Sequence, residues 1–135
     1  EGDLYIDPHH SVEDCAIALG QAIRRALGDK RGIERYGFCL PMDESQVQVA
    51  LDFSGRFFLD FKADFPESHV GDLPTDMVSH VFYSLAENMQ ANLQIAVTGE
   101  NTHHMGEACF KGVGRALGQA IRRQGDEMPS TKGSL

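Results

Sequence analysis

Basic residues are in short supply in this chain: 12 lysines and arginines face 20 aspartates and glutamates, for a net charge of -8. That balance excludes a broad basic surface of the kind that holds nucleic acid or an anionic membrane. It leaves room for a local basic pocket around a small phosphate. Cysteine is also scarce, with three residues and no Cys-x-x-Cys pair. The odd count and wide spacing exclude a disulfide framework and read as reduced thiols in a cytosolic protein. No apolar run approaches the length of a membrane span. What remains, 41% hydrophobic and 24% charged in 135 residues, is the make-up of one soluble globular domain with a real core.

Against this background one stretch stands out, Asp7-Pro8-His9-His10-Ser11-Val12-Glu13. It returns near the other end as Asn101-Thr102-His103-His104-Met105-Gly106-Glu107. Both copies run cap residue, spacer, His-His, two spacers, Glu. The Glu follows the first His by four residues, which on a helix puts the two side chains on one face, one turn apart. The second His points roughly a hundred degrees away. Each motif therefore reaches two metals, or one metal and a partner of its ligands.

The flanking sequence supports helices in both places. Leu4-Tyr5-Ile6 reads as the end of a strand, Asp7 as an N-cap and Pro8 as the first helical residue. Val12, Cys15, Ala16, Leu19, Ile23 and Ala26 then recur at helical spacing up to Gly28. A connection from Gly32 leads into a strand, and Pro41 to Ser45 reads as a turn. Val47, Val49, Leu51 and Phe53 alternate as a half-buried strand. After the Ser54-Gly55 turn, Phe57, Leu59, Phe61, Ala63 and Phe65 form the next, and the two predict an antiparallel hairpin. Pro66 to Pro74 reads as a loop. Thr75 is expected to cap a helix carrying Val78, Val81, Phe82, Leu85 and Met89. A short strand over Leu93 to Val97 precedes the last helix, capped by Asn101.

The two motif helices are copies at an offset of 94 residues: Asp7 matches Asn101, His9 His103, Glu13 Glu107, Cys15 Cys109 and Gly20 Gly114. Ala-Leu-Gly-Gln-Ala-Ile-Arg-Arg occurs at 18–25 and again at 116–123, one turn out of that register. The repeat divides the chain into the final strand and helix of a first unit (1–31), a complete second unit (32–124) and a tail (125–135). The fold class is α+β, an antiparallel-rich sheet backed by helices, with the first of two tandem units truncated. The same offset places a counterpart of His80 about fourteen residues ahead of Glu1.

Plainer readings compete with this one. A lone pair of histidines on a helix is commonly a surface feature; the recurrence of cap, His-His and Glu is what favours ligands. Asp14 follows His10 by four, but its repeat partner is Ala108, so it reads as a solvated acid or a partner of a ligand. Cys15 and Cys109 fall on apolar faces and are expected to be core thiols. His80, taken alone, is a partly buried structural histidine, and His69 a loop residue. Imidazole and carboxylate without thiolate suit Mn, Fe, Zn or Ni. Gly20, Gly112, Gly114 and Gly118 each cost a helix about 1 kcal/mol against Ala, for which close helix approach is the expected reason. Arg35, Arg56, Lys111 and Lys132 are surface residues by default, and Pro129-Ser130-Thr131-Lys132-Gly133 has donors suited to an anion.

The blocks His9-His10-Ser11-Val12-Glu13-Asp14, Gly28-Asp29-Lys30-Arg31-Gly32-Ile33, Pro41-Met42-Asp43-Glu44, Ser54-Gly55-Arg56, Gly99-Glu100-Asn101-Thr102-His103-His104 and Pro129-Ser130-Thr131-Lys132-Gly133 resemble, in order and spacing, the imidazoleglycerol-phosphate dehydratases of histidine biosynthesis. The resemblance spans the whole chain. It implies paired α+β halves of the ribosomal protein S5 domain 2-like type, and a further ligand in a Phe-Leu-Asp-His block upstream of residue 1. It implies two Mn(II) ions per active site, on His9, His10, Glu13, His80, His103, His104 and Glu107. Arg35, Arg56, Lys111, Ser130 and Lys132 are then expected to hold the substrate phosphate, and Asp43 and Glu44 to lie near the substrate. The implied reaction dehydrates imidazole glycerol phosphate to imidazole acetol phosphate through a metal-bound imidazolate, with Glu107, Glu13 and Asp43 as catalytic carboxylates. The implied assembly is a cytoplasmic, twenty-four-subunit homo-oligomeric shell with sites between subunits; in some bacteria the domain is fused behind a histidinol-phosphate phosphatase. Two other readings stay open: a different dinuclear metal lyase or hydrolase, and a metal-assembled shell without catalysis.

Overall fold

The first helix starts one residue later than expected, with Pro8 and not Asp7 at the N-cap and His9 as the first helical residue. The Asp7 carboxylate accepts from the His9 backbone N–H at 2.5 Å, and Pro8, already at helical φ and ψ, accepts from Val12 N–H. Helix α1 runs His9–Leu27 and ends at Gly28, whose φ of 57° is left-handed. The computed structural model describes residues 2 and 5–135, without the side chains of residues 38–40. Leu4, in the expected opening strand, lies outside that range, and Tyr5 and Ile6 form an exposed turn instead. A strand requires a neighbour for its backbone, and none pairs with Tyr5 or Ile6 among the described residues.

Strands β1 (Tyr36–Met42) and β2 (Ser45–Asp52) form an antiparallel hairpin. The expected turn over Pro41 to Ser45 is narrower than its composition suggests. Pro41 and Met42 stay in β1, paired with Gln46 and Ser45, and only Asp43 and Glu44 turn, with Asp43 at a φ of 49°. A register shift between Cys39 and Pro41 accommodates the proline, as a bulge in an edge strand does.

The hairpin expected between β2 and β3 (Phe58–Lys62) does not form. β6 (Asn92–Thr98) lies between them, antiparallel to β2 and parallel to β3, and the sheet order is β1-β2-β6-β3. Alternation reports which face of a strand is buried, not which strand lies beside it. The central place goes to β6, whose Leu93, Ile95 and Val97 are buried, and β3, buried only in part, takes the edge. The β3–β6 crossover is α2 (Thr75–Met89). The stretch expected as a plain loop holds a small hairpin, β4 (His69–Val70) with β5 (Leu73–Pro74). Thr75 is the first residue of α2 and does not cap it; its hydroxyl donates to the Glu67 and Ser68 carbonyls and ties this loop to the helix.

Helix α3 (Thr102–Ala120) starts at Asn101, whose side chain accepts from His104 N–H. α2 and α3 cover one face of the sheet, and α1 packs on α2. The core lies between them: Val47, Val49, Leu51, Leu93, Ile95 and Val97 meet Val78, Phe82, Met89, Met105, Cys109 and Val113. Gly20 brings α1 close to α2, since a Cβ there would lie 2.8 Å from the Leu85 carbonyl. Gly112 serves the sheet and not another helix, facing Val47 and Val49, while Gly114 and Gly118 face open space. Close helix approach thus accounts for one of the four helical glycines. Cys109 is buried as expected, but Cys15 is exposed, because its face of α1 lines an open apolar groove and not the core. No helix is long and apolar enough to cross a membrane among the described residues.

Candidate metal and phosphate site

The first motif helix meets α2 at His80. His9 Nε2 lies 3.8 Å from Glu13 Oε2, one turn along, as the spacing requires. His80 brings its Nε2 to 3.2 Å from Glu13 Oε1, and its ring sits 4.8 Å from that of His9. That approach is not aligned for a hydrogen bond, so His80 Nε2 is a buried nitrogen without a hydrogen-bond partner. Buried polar atoms are rarely left so. One ligand atom from each of His9, Glu13 and His80 lies within 4.8 Å of the others. A first-row ion with bonds of about 2.0–2.2 Å holds its ligands roughly 3–4 Å apart, so the trio is slightly wider than a coordination shell. The donor set and the orphaned nitrogen fit a metal. The His10 ring stands perpendicular to that of His9, aimed elsewhere.

The second motif is arranged differently. His103 Nε2 lies 3.6 Å from Glu107 Oε2, repeating the one-turn pair. Lys111, one turn further, reaches Glu107 Oε1 at 2.6 Å, and its ammonium holds the Glu107 carboxyl below the usual carboxylate range. His104 turns to the β1–β2 turn, its Nδ1 2.7 Å from Glu44 Oε2. Hydrogen bonding to His104 lowers Glu44 to about 2, and the same bond raises His104 above its ordinary value. Asp43, exposed in the turn, adds negative charge beside His104. Among the described residues no third metal donor joins His103 or His104 in a cluster.

The five basic or hydroxyl residues expected around a phosphate fall into two places. Arg35 gives Nε and Nη2 to Asp52 and Nη1 to the Pro129 carbonyl at 2.9 Å, which draws the tail to the open end of the β1–β2 hairpin. Three of its five N–H groups are used, and two remain. Ser130 follows Pro129 directly, with its Oγ accepting from Lys132 N–H. Leu135 abuts Gly55, beside the exposed Arg56. Arg35, Arg56, Ser130 and Lys132 thus share one end of the molecule. Lys111 sits beside Met42 at the turn end. Met42 and Tyr36 are six strand residues apart, which is about 20 Å at 3.3 Å per residue. Within one chain Lys111 and the other four do not converge. Asp52 as the partner of Arg35, and Glu44 as the partner of His104, were not legible from spacing; both depend on which strands lie side by side.

Sheet, backing helices and paired His-His-x-x-Glu helices define an α+β domain with a histidine- and carboxylate-rich site. The family model for imidazoleglycerol-phosphate dehydratase matches residues 1–117. The chain belongs to that family. It is 57% identical over 135 residues to a histidine biosynthesis bifunctional protein of Stenotrophomonas maltophilia (strain K279a), covering all of this chain and 38% of that protein. It is also 57% identical, over 134 residues, to its namesake from Legionella pneumophila (strain Lens), again covering 38% of it. The chain therefore spans well under half the length of these relatives. The solved imidazoleglycerol-phosphate dehydratase of Staphylococcus aureus superposes with a TM-score of 0.85 at 37% identity, over 92% of this chain and 71% of the other. That of Pyrococcus furiosus gives 0.82 at 32% identity, over 94% and 71%.

Proposed function

We propose that this chain forms part of a metal-dependent hydro-lyase that converts imidazole glycerol phosphate to imidazole acetol phosphate in histidine biosynthesis. The observation that carries this reading is the meeting of His9, Glu13 and His80 from two helices, with His80 Nε2 buried and unpartnered. In this reading His9, His10, Glu13, His80, His103, His104 and Glu107 hold two Mn(II) ions per active site. Bound metals supply Lewis acidity and a template that orients the imidazole ring.

The chain's own groups do the rest. Glu107, ion-paired to Lys111, is the carboxylate that takes a proton from carbon once the substrate is in reach. Glu13 and Asp43 are further carboxylates on which a proton can rest. The two spare N–H groups of Arg35, with Arg56, Ser130, Lys132 and Lys111, bind the phosphate. Lys111 lies too far from the other four in one copy, so a complete pocket takes residues from more than one. That supports a homo-oligomer with shared sites, in this reading a cytoplasmic shell of twenty-four subunits.

The test measures metal content and dehydratase activity of the whole natural protein that carries this sequence, beside its His80→Ala variant. Bound metal and turnover in the parent, with both reduced in the variant, are expected. A variant that retains full metal and full activity overturns the assignment.

A further inference from the structure

In the second motif the second histidine is held by a strand turn. His104 Nδ1 lies 2.7 Å from Glu44 Oε2. A carboxylate only accepts, so in the neutral ring the imidazole proton sits on Nδ1 and the lone pair is left on Nε2. The carboxylate is itself held: Ser45 Oγ, fully buried, donates to Glu44 Oε1 at 3.0 Å. Ser45 fits because residue 99 is glycine; a Cβ there would lie 2.2 Å from its Oγ. On the helix side, Asn101 caps the backbone N–H of His104. Strand β2, its turn and the first turn of α3 thus grip one imidazole from both ends.

We propose that Glu44 is a positioning residue, which fixes the ring and tautomer of His104 so that Nε2 is presented outward as a metal ligand. Histidine ligands commonly donate their other N–H to a carboxylate, and loss of that partner commonly costs 10–100-fold in metal affinity. The proposal rests on the metal reading above, and extends it to a residue outside the ligand set named there.

The experiment compares Glu44→Ala and Glu44→Gln with the parent, all as whole natural protein. Magic-angle-spinning spectra of 15N-histidine-labelled, metal-free protein, taken at a pH where His104 is neutral, report its tautomer, with its signals identified by their loss in His104→Asn. Mn(II) titration reports affinity. The parent should show Nδ1–H. Glu44→Ala should shift His104 toward Nε2–H, the favoured form of an unconstrained neutral histidine side chain, and weaken Mn(II) binding roughly 10–100-fold. Glu44→Gln, whose amide oxygen still accepts from Nδ1–H, should restore the tautomer and most of the affinity. An unchanged tautomer in Glu44→Ala, or unchanged affinity there, overturns the proposal. If the parent itself takes up no Mn(II), the metal reading falls, while the tautomer shift still supports Glu44 as the residue that orients His104.

Discussion

Arg35 and Asp52 form a two-pronged ion pair across the open end of the β1–β2 hairpin, Nε to Oδ1 at 2.6 Å and Nη2 to Oδ2 at 3.1 Å. The guanidinium also stacks 4.9 Å from the Tyr36 ring centre and donates to the tail at Pro129. One side chain thereby joins strand, strand and tail while leaving two donors for an anion.

Lysine cannot reproduce that fork. Arg35→Lys should destabilise the protein by about 1.5–3 kcal/mol, the range for hydrogen bonds to charged groups. It should also loosen the tail. Thermal denaturation measures the first effect and limited proteolysis after Gly125 the second. An unchanged melting temperature with an intact tail would count against the pair as an anchor.

Two glycines in α3 should respond to alanine with opposite sign. At Gly112 the new methyl would lie 2.9 Å from the methyl groups of Val47 and Val49, both fixed in the central sheet; overpacking of this kind costs about 1–3 kcal/mol. At Gly114 nothing lies within 4 Å, so Ala should gain up to about 1 kcal/mol from helix propensity. Denaturant midpoints of the two variants provide the comparison, and equal shifts would contradict the packing described.

The Glu44–His104 pair sets a pH window for the metal-free protein. Glu44 falls from 4.5 to about 2 on folding, so its contribution is complete above pH 4.5 and is lost as pH drops toward 2. His104 is raised above 6.5, so its contribution is complete below pH 6.5 and is lost as pH climbs through the raised value. The coupling should be greatest between about pH 4.5 and 6.5. A double-mutant cycle of Glu44→Gln and His104→Asn, followed by melting temperature in chelator, should trace that plateau; a coupling that is flat from pH 3 to 9 would not fit.

Thiol chemistry should separate two cysteines that the sequence treats alike. Burial pushes Cys109 up to about 12 and hides it, whereas Cys15 is exposed. In this chain, iodoacetamide at neutral pH should label Cys15 quickly and Cys109 only on unfolding, as peptide mapping would reveal. Rapid native labelling of Cys109 would mean that its helix does not pack as described.

The contrast between those cysteines marks how far the sequence could be read. Periodicity identified α1, α2, α3, β2 and β6, and the i, i+4 spacing set His9 on Glu13 and His103 on Glu107. Each of these is local, decided within one turn or one strand. What escaped was long-range: β6 inserting between β2 and β3, Glu44 reaching His104, and Asp52 claiming Arg35. Cys15 escaped for a related reason. An apolar face on a helix does not state what packs against it, and here the face of α1 with Cys15 and Leu19 stays open.

The insertion of β6 also orders events in time. Synthesis delivers β1, β2 and β3 well before the strand that joins them, since β2 ends at Asp52 and β6 at Thr98. At about 5–20 residues per second, those 46 residues take roughly 2–9 s. For that interval β2 has one unpaired edge, and β3, once made, has two, with Val47, Val49 and Phe61 uncovered. A nascent chain of this kind is exposed to edge-to-edge association, and the sheet closes only when residues near the start of α3 emerge.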